Sequence, residues 1–121
     1  MTYQDSTAVD ELARLVESQE IVIGQRAQYQ EELISTDGYV LEPGEFAIFY
    51  TQEKITLAND VLCLLSTRGS VAKLGIDMLQ SSLVVEPGSD NVLALETYNH
   101  GPCSVRMMSG VPVVKGVFFR V

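Results

Sequence analysis

Between Leu65 and Asn99 the chain collects most of the residues whose types could do chemistry. They are an Arg-Gly-Ser turn (Arg68, Gly69, Ser70), Lys73, Ser82, a Pro87-Gly88 turn, and Glu96 in an apolar run. A carboxylate alternating with Leu95 and Thr97 in a strand can act as a general acid or base if partial burial raises its pKa. The bland reading of Glu96 is a strand carboxylate paired with Lys73 or Arg106 at a contact between copies. Arg68 has the same two readings, a phosphate ligand or a partner for a neighbouring copy's acids. Gly69 beside Ser70 suggests a phosphate cradle, but the spaced glycines and Lys-Ser/Thr of a Walker loop are absent.

Other chemistries fall away on residue supply. His100 is the only histidine and sits in an Asn-His-Gly-Pro turn, where a solvated loop residue is the simplest reading. A zinc deaminase of the His-x-Glu with Pro-Cys-x-x-Cys type is excluded, because the ligand spacing is missing and Cys63 and Cys103 lie far apart. No metal site is expected. Ser66, Ser70, Ser81 and Ser82 have no Ser/His/Asp arrangement around them beyond that one histidine. Both cysteines stand in apolar strand-like runs and read as reduced core residues. Met107-Met108 reads as core packing.

The formal net charge of -8, from 16 acidic against 8 basic residues, disfavours nucleic-acid binding, which needs a clustered basic face. An anionic nucleotide could bind only in a local positive pocket, and Arg68, Lys73, Arg106, Lys115 and Arg120 are almost the whole supply. Residues 1–20 lack a basic start followed by an apolar run, and no apolar stretch approaches the length of a membrane span. No membrane partner is expected, and a cytoplasmic location is. At 121 residues and 46% apolar, the chain reads as one domain of ordinary globular composition, residues 1–121.

The elements that must position these residues follow from periodicity. Ser6 and Thr7 offer caps, and Val9, Leu12, Ala13 and Val16 recur at helical spacing, which predicts a short amphipathic helix over 6–18 within an N-terminal segment 1–19. Glu20–Gly24 reads as a short strand, and Gln25–Thr36 as helix or loop. A β core is expected over 39–121. Its strands are Tyr39–Leu41, one from Phe46 past Tyr50, Val61–Leu65 as a buried run, Leu74–Leu79, Leu83–Val85, Val92–Tyr98, Ser104–Met107 and Val111–Phe119. Such dense short strands argue for a sandwich or closed barrel.

Laid in order, the blocks LEPGEFAIFYTQEKITLANDV, TRGSVAKLG, VVEPGSDNVLALETYNHGP and VRMMSGVPVVKGVFF resemble the dCTP deaminase and dUTPase superfamily. TRGSVAKLG is similar to the family's Arg-Ser-Ser-x-x-Arg-x-Gly, and LETYNHG to its Leu-Glu-x-x-Asn-x-Gly. The resemblance implies an all-β, dUTPase-like distorted β-barrel of jelly-roll type with one short N-terminal helix. It implies a homotrimer with nucleotide sites between subunits.

Carried over residue by residue, the resemblance makes Glu96 the acid/base that activates water for attack on C4 of cytosine. Arg68 and Ser70 become phosphate ligands, and Lys73 stands in for a second arginine. Gly69 replaces the family's first serine, and Ser82 replaces a small alanine-type residue beside the base. Lys73 offers a point charge where arginine offers a planar fork. In the family, residues past the last core strand fold over the triphosphate, whereas this chain ends at Val121, so weak nucleotide binding is expected. Two functions follow. The preferred one is a non-catalytic trimer with a structural, decorating or regulatory role that binds a protein surface, with a virus as one setting and a virion-associated location there. The alternative is a dCTP deaminase-like enzyme or pyrimidine deoxynucleotide-binding protein. It needs no cofactor beyond the Mg²⁺ that accompanies a triphosphate.

Overall fold

Apolar residues alternating with polar ones from Phe46 onward produce long two-faced strands, and the positions of Gly and Pro decide where each stops. The structure, a computed structural model, describes residues 11–15 and 29–121. Its strands are β1 (Glu11–Leu15), β2 (Tyr29–Leu33), β3 (Tyr39–Leu41), β4 (Phe46–Thr56), β5 (Val61–Thr67), β6 (Ile76–Asp77), β7 (Val84–Val85), β8 (Asp90–Asn99), β9 (Val105–Met107) and β10 (Val114–Arg120), with one helical turn, α1 (Gly69–Ala72). They form sheets ordered β2-β1-β4-β8-β6, β10-β5-β7 and β3-β9.

The pairing of β4 with β8 fixes which side chains face the core. Phe49 opposes Leu95 and Ala47 opposes Thr97, and all four are fully buried. One residue along, Ile48 opposes Glu96 on the other face. A one-residue slip would exchange these two sets, so the apolar face fixes the register and with it the outlook of Glu96. The register shifts between Tyr50 and Lys54. Buried Thr51 bridges the irregularity, its Oγ1 accepting the Leu93 N–H at 2.8 Å and donating to the Glu53 carbonyl at 2.7 Å.

Asn99 closes β8. It is fully buried, and its Nδ2 donates to the carbonyls of Leu41 at 3.0 Å and Cys103 at 2.9 Å, while Oδ1 accepts the Gly101 N–H at 2.9 Å. The side chain thus ties β3, the end of β8 and the following turn together. The asparagine of the Leu-Glu-x-x-Asn block is a structural clamp. Beside it the backbone passes so closely that a Cβ on Gly75 would lie 2.6 Å from the Gly101 Cα, and Gly75 also has a φ of +90°. That conformation and that approach both require glycine.

Several expectations are corrected. Glu11–Leu15 is not helical, because it pairs with both β2 and β4, and ladder hydrogen bonds on two sides outweigh a short helical spacing. The rest of the 6–18 helix and all of Glu20–Gly24 lie outside the described residues. Part of the ambiguous 25–36 segment is strand β2. The strand expected over Leu74–Leu79 shrinks to two residues. The φ of Gly75 interrupts it, and Asp77 Oδ1 accepts the Leu79 and Gln80 N–H groups, each at 2.9 Å, turning the chain.

Nor is Val61–Leu65 a uniformly buried run. Cys63 and Leu65 are buried, whereas Leu64 is 40% exposed on the opposite face. There it joins Val84 directly across β7 and Val117 directly across β10, both also exposed. Cys103 is exposed and only Cys63 belongs to the core. Met107 is buried, but Met108 is not. Among the described residues no helix is long and apolar enough to cross a membrane.

Candidate active site

Glu96 sits mid-strand on β8, on the face turned away from the core, and is half-buried. Its burial comes with no ion pair to any described residue. Within the chain neither Lys73 nor Arg106 pairs with it; Arg106 Nη1 instead donates to the Asp37 carbonyl at 2.9 Å. Desolvation pushes the Glu96 carboxyl above its ordinary pKa, and hydrogen bonding from the Ser82 hydroxyl holds back part of that rise. A half-buried carboxylate lacking a compensating cation is costly to ionise, which is the state a proton-transfer group needs.

Ser82 reaches Glu96 from the segment between β6 and β7. Its own backbone is fixed: after Asp77 caps the turn, Gln80 adopts a left-handed φ of 51° and the Ser82 N–H donates to the Leu79 carbonyl at 2.9 Å. Ser82 also lines a cleft of about 180 Å³ whose apolar walls include Leu65, Val85 and Leu93 and whose polar lining includes Glu86 and Ser89. Ala94 closes one side of this cleft. It lies two residues before Glu96 in β8, hence on the same face. Leu93, of the opposite parity and packed against the core, lines it as well, so the cleft reaches the β8 edge of the core, and Glu96 itself does not line it.

Arg68, Gly69, Ser70 and Lys73 form a second group, on the α1 turn after β5. Arg68 takes the N-cap position with extended backbone, and Lys73 the C-cap. All four residues are exposed. The side chains of Arg68, Ser70 and Lys73 make no hydrogen bond or ion pair with the described residues, so two cations and a hydroxyl face outward from one turn. A Cβ on Gly69 would meet nothing within 4 Å. The chain by itself thus joins Glu96 to Ser82, and no described contact joins the α1 group to either. Among the described residues there is no cluster of His, Cys, Asp or Glu able to hold a metal ion.

Sequence reasoning missed Glu86, Ser89 and Ala94 as cleft residues. Ala94 carried a usable signal, a small side chain two positions before Glu96 on one strand. Glu86 and Ser89 flank the Pro87-Gly88 turn, and only the folded return of that turn reveals where they sit.

This is an all-β fold of the dUTPase type. The solved structure of native EIAV dUTPase superposes with a TM-score of 0.60, covering 74% of this chain and 73% of that one at 14% sequence identity. The sequence profile of the dCTP deaminase-like family matches residues 5–121, and the chain belongs to that family. A dUMP-forming dCTP deaminase of Methanoculleus marisnigri is 31% identical over 90 residues, 74% of this chain and 48% of the relative. A dCTP deaminase of Rhodospirillum rubrum is 33% identical over 82 residues, 68% of this chain and 42% of the relative. The chain spans about half the length of the curated relatives it matches.

Proposed function

We propose that this protein is a hydrolytic deaminase of a pyrimidine deoxynucleotide, with dCTP as the first candidate substrate. The observation that carries the reading is the half-buried Glu96 carboxylate, free of any ion pair among the described residues and held above its ordinary pKa by desolvation. The relatives' names favour this enzyme reading over the non-catalytic assembly role, and they lend no support to a viral one. Glu96 takes a proton from water, the hydroxide adds to C4 of the cytosine, and the same carboxyl returns a proton to the departing amine, so that water is consumed and ammonia released. The base lies in the cleft between Leu65, Leu93 and Ala94, and the acidic Glu86 keeps phosphate out of it. The triphosphate lies on the exposed α1 group, Arg68, Ser70 and Lys73, with Mg²⁺ held by its oxygens.

In this reading the protein is a homotrimer, and a neighbouring copy supplies the α1 group to each Glu96. The outward apolar face of Leu64, Val84 and Val117 supports assembly, since such patches mark interaction surfaces. The test is ammonia release from dCTP, with dCMP and dTTP as controls, on the full chain and on Glu96→Gln and Arg68→Ala. Release that is abolished in Glu96→Gln and lost through a raised KM in Arg68→Ala is the expected result. No release, together with no thermal stabilisation at millimolar nucleotide, would refute the proposal; a ligand at one hundred times its Kd would add about 2.7 kcal/mol.

A further inference from the structure

We propose that the pocket between α1 and β9 is a binding site for a small apolar carboxylate, a single ring or branched alkyl group bearing one negative charge, with Arg106 as its charge partner. The pocket holds about 120 Å³ and is lined by Val71 and Leu74 from α1 and the turn after it, by Met107 and Met108, and by Val113 just before β10. It shares no lining residue with the cleft of Ser82 and Glu86. The proposal therefore stands apart from the deaminase reading.

One wall is fixed and the other is loose. In the β3-β9 pair Met107 opposes Tyr39 and Arg106 opposes Val40, and Met107 is buried in the core. The Asp37-Gly38 turn packs so tightly against this wall that a Cβ on Gly38 would stand 2.6 Å from both the Met107 carbonyl and the Met108 Sδ. The α1 turn, by contrast, has no buried residue, and its apolar hold on the body is the partly buried Val71. A ligand can thus enter by a small movement of α1, and the two methionines adapt to its shape.

Charge and size select the occupant. Arg106 is the one charged residue in the lining, and its guanidinium forms no ion pair with any described residue. Of its N–H groups only one, on Nη1, has an acceptor among the described residues, the Asp37 carbonyl at 2.9 Å. That bond orients the planar fork and leaves donors for a carboxylate, which such a fork grips through both oxygens. The volume is close to the roughly 150 Å³ at which an apolar cavity takes benzene, so one ring fits and a nucleotide does not.

The experiment uses the full chain with isotope-labelled methionine methyl groups and benzoate as the probe, the signals being assigned by single Met→Leu variants. Benzoate at millimolar concentration is expected to shift the Met107 and Met108 signals along one saturable curve and to leave Met78, which lies outside the pocket, in place. Benzamide, the same ring without the charge, is expected to bind about fivefold more weakly, as is benzoate to Arg106→Gln. Because Arg106 is exposed, added salt should weaken benzoate binding to wild type and leave Arg106→Gln unmoved. Val111→Phe, which puts a ring into the lining, should abolish the shifts in a chain that thermal unfolding shows to be folded. Absence of a saturable shift at Met107 and Met108 overturns the proposal. Equal affinity for benzoate and benzamide overturns it too, leaving an apolar gap without selectivity. Signals that move with protein concentration and not with benzoate would give the pocket to a side chain of a second copy, which also overturns it.

Discussion

Replacing Asn99 by alanine should cost more than any change at an exposed position of the candidate site. The side chain is fully buried and makes three hydrogen bonds, to Leu41, Cys103 and Gly101 backbone groups at 3.0, 2.9 and 2.9 Å. A buried hydrogen bond contributes about 1 kcal/mol net, and a buried partner left unpaired costs roughly 1–3 kcal/mol. Allowing for water reaching the Cys103 and Gly101 groups at the more open end, the sum is about 3–5 kcal/mol. That is a large part of the roughly 5–15 kcal/mol of a whole domain. At about 4 °C per kcal/mol for a chain of this size, Tm falls by roughly 12–20 °C. The assay is urea and thermal unfolding by circular dichroism at one fixed chain concentration. Asn99→Asp separates shape from hydrogen bonding, because it keeps the acceptor for Gly101 but turns an oxygen onto the two carbonyls. It should be at least as unstable as the alanine variant at neutral pH and recover in part as pH falls and the acid gains a proton to donate. A loss below about 1 kcal/mol in Asn99→Ala would refute the clamp.

Three further outcomes are expected. Because burial raises the Glu96 pKa, the folded state binds that proton more tightly than the unfolded chain; stability is full below the ordinary carboxylate pKa and is lost as pH rises through the raised one. Glu96→Gln should remove that slope, so the variant is inactive yet more stable than wild type at neutral pH, with the difference vanishing in acid; paired unfolding curves across pH check it. Gly69→Ser meets open space and negative φ, so Tm should change by no more than about 2 °C while nucleotide affinity by calorimetry improves. A thiol reagent should label exposed Cys103 quickly in the native protein and reach Cys63, buried and with its thiol pKa raised by desolvation, only on unfolding.

Glu96 was legible because a charge in an otherwise apolar alternation stands out, and the two-residue period already placed it opposite the core. The β class was legible for the same reason, from Phe46 through β10. Neighbourhood was not. Ser82 and Glu96 are separated by a turn, a two-residue strand and the Pro87-Gly88 reversal, and no local pattern specifies how those fold back. The β1 segment failed differently: Leu12, Ala13 and Val16 suit a helix by spacing, but the strand between β2 and β4 was an open place in a sheet, and its pairing settles the conformation. Leu64 looked like core because an unbroken apolar run hides which face is covered. Its exposure depends on what lies against the β10-β5-β7 sheet, which is a property of tertiary structure or assembly.

The ladder that carries Glu96 also sets an order of events in the making of the protein. Strand β4 waits for β8, and Val61 pairs with Arg120. Folding dominated by such distant pairings is slow, because loop closure must precede any gain from contact. During synthesis β4 leaves the ribosome before β8 and β5 before β10, and each presents the edge meant for that later strand, Phe46 to Tyr50 and Val61 to Leu65, to whatever is nearby. Production of this chain should therefore depend on chaperone capacity and growth temperature more than its modest size suggests, and slower expression should raise the soluble yield.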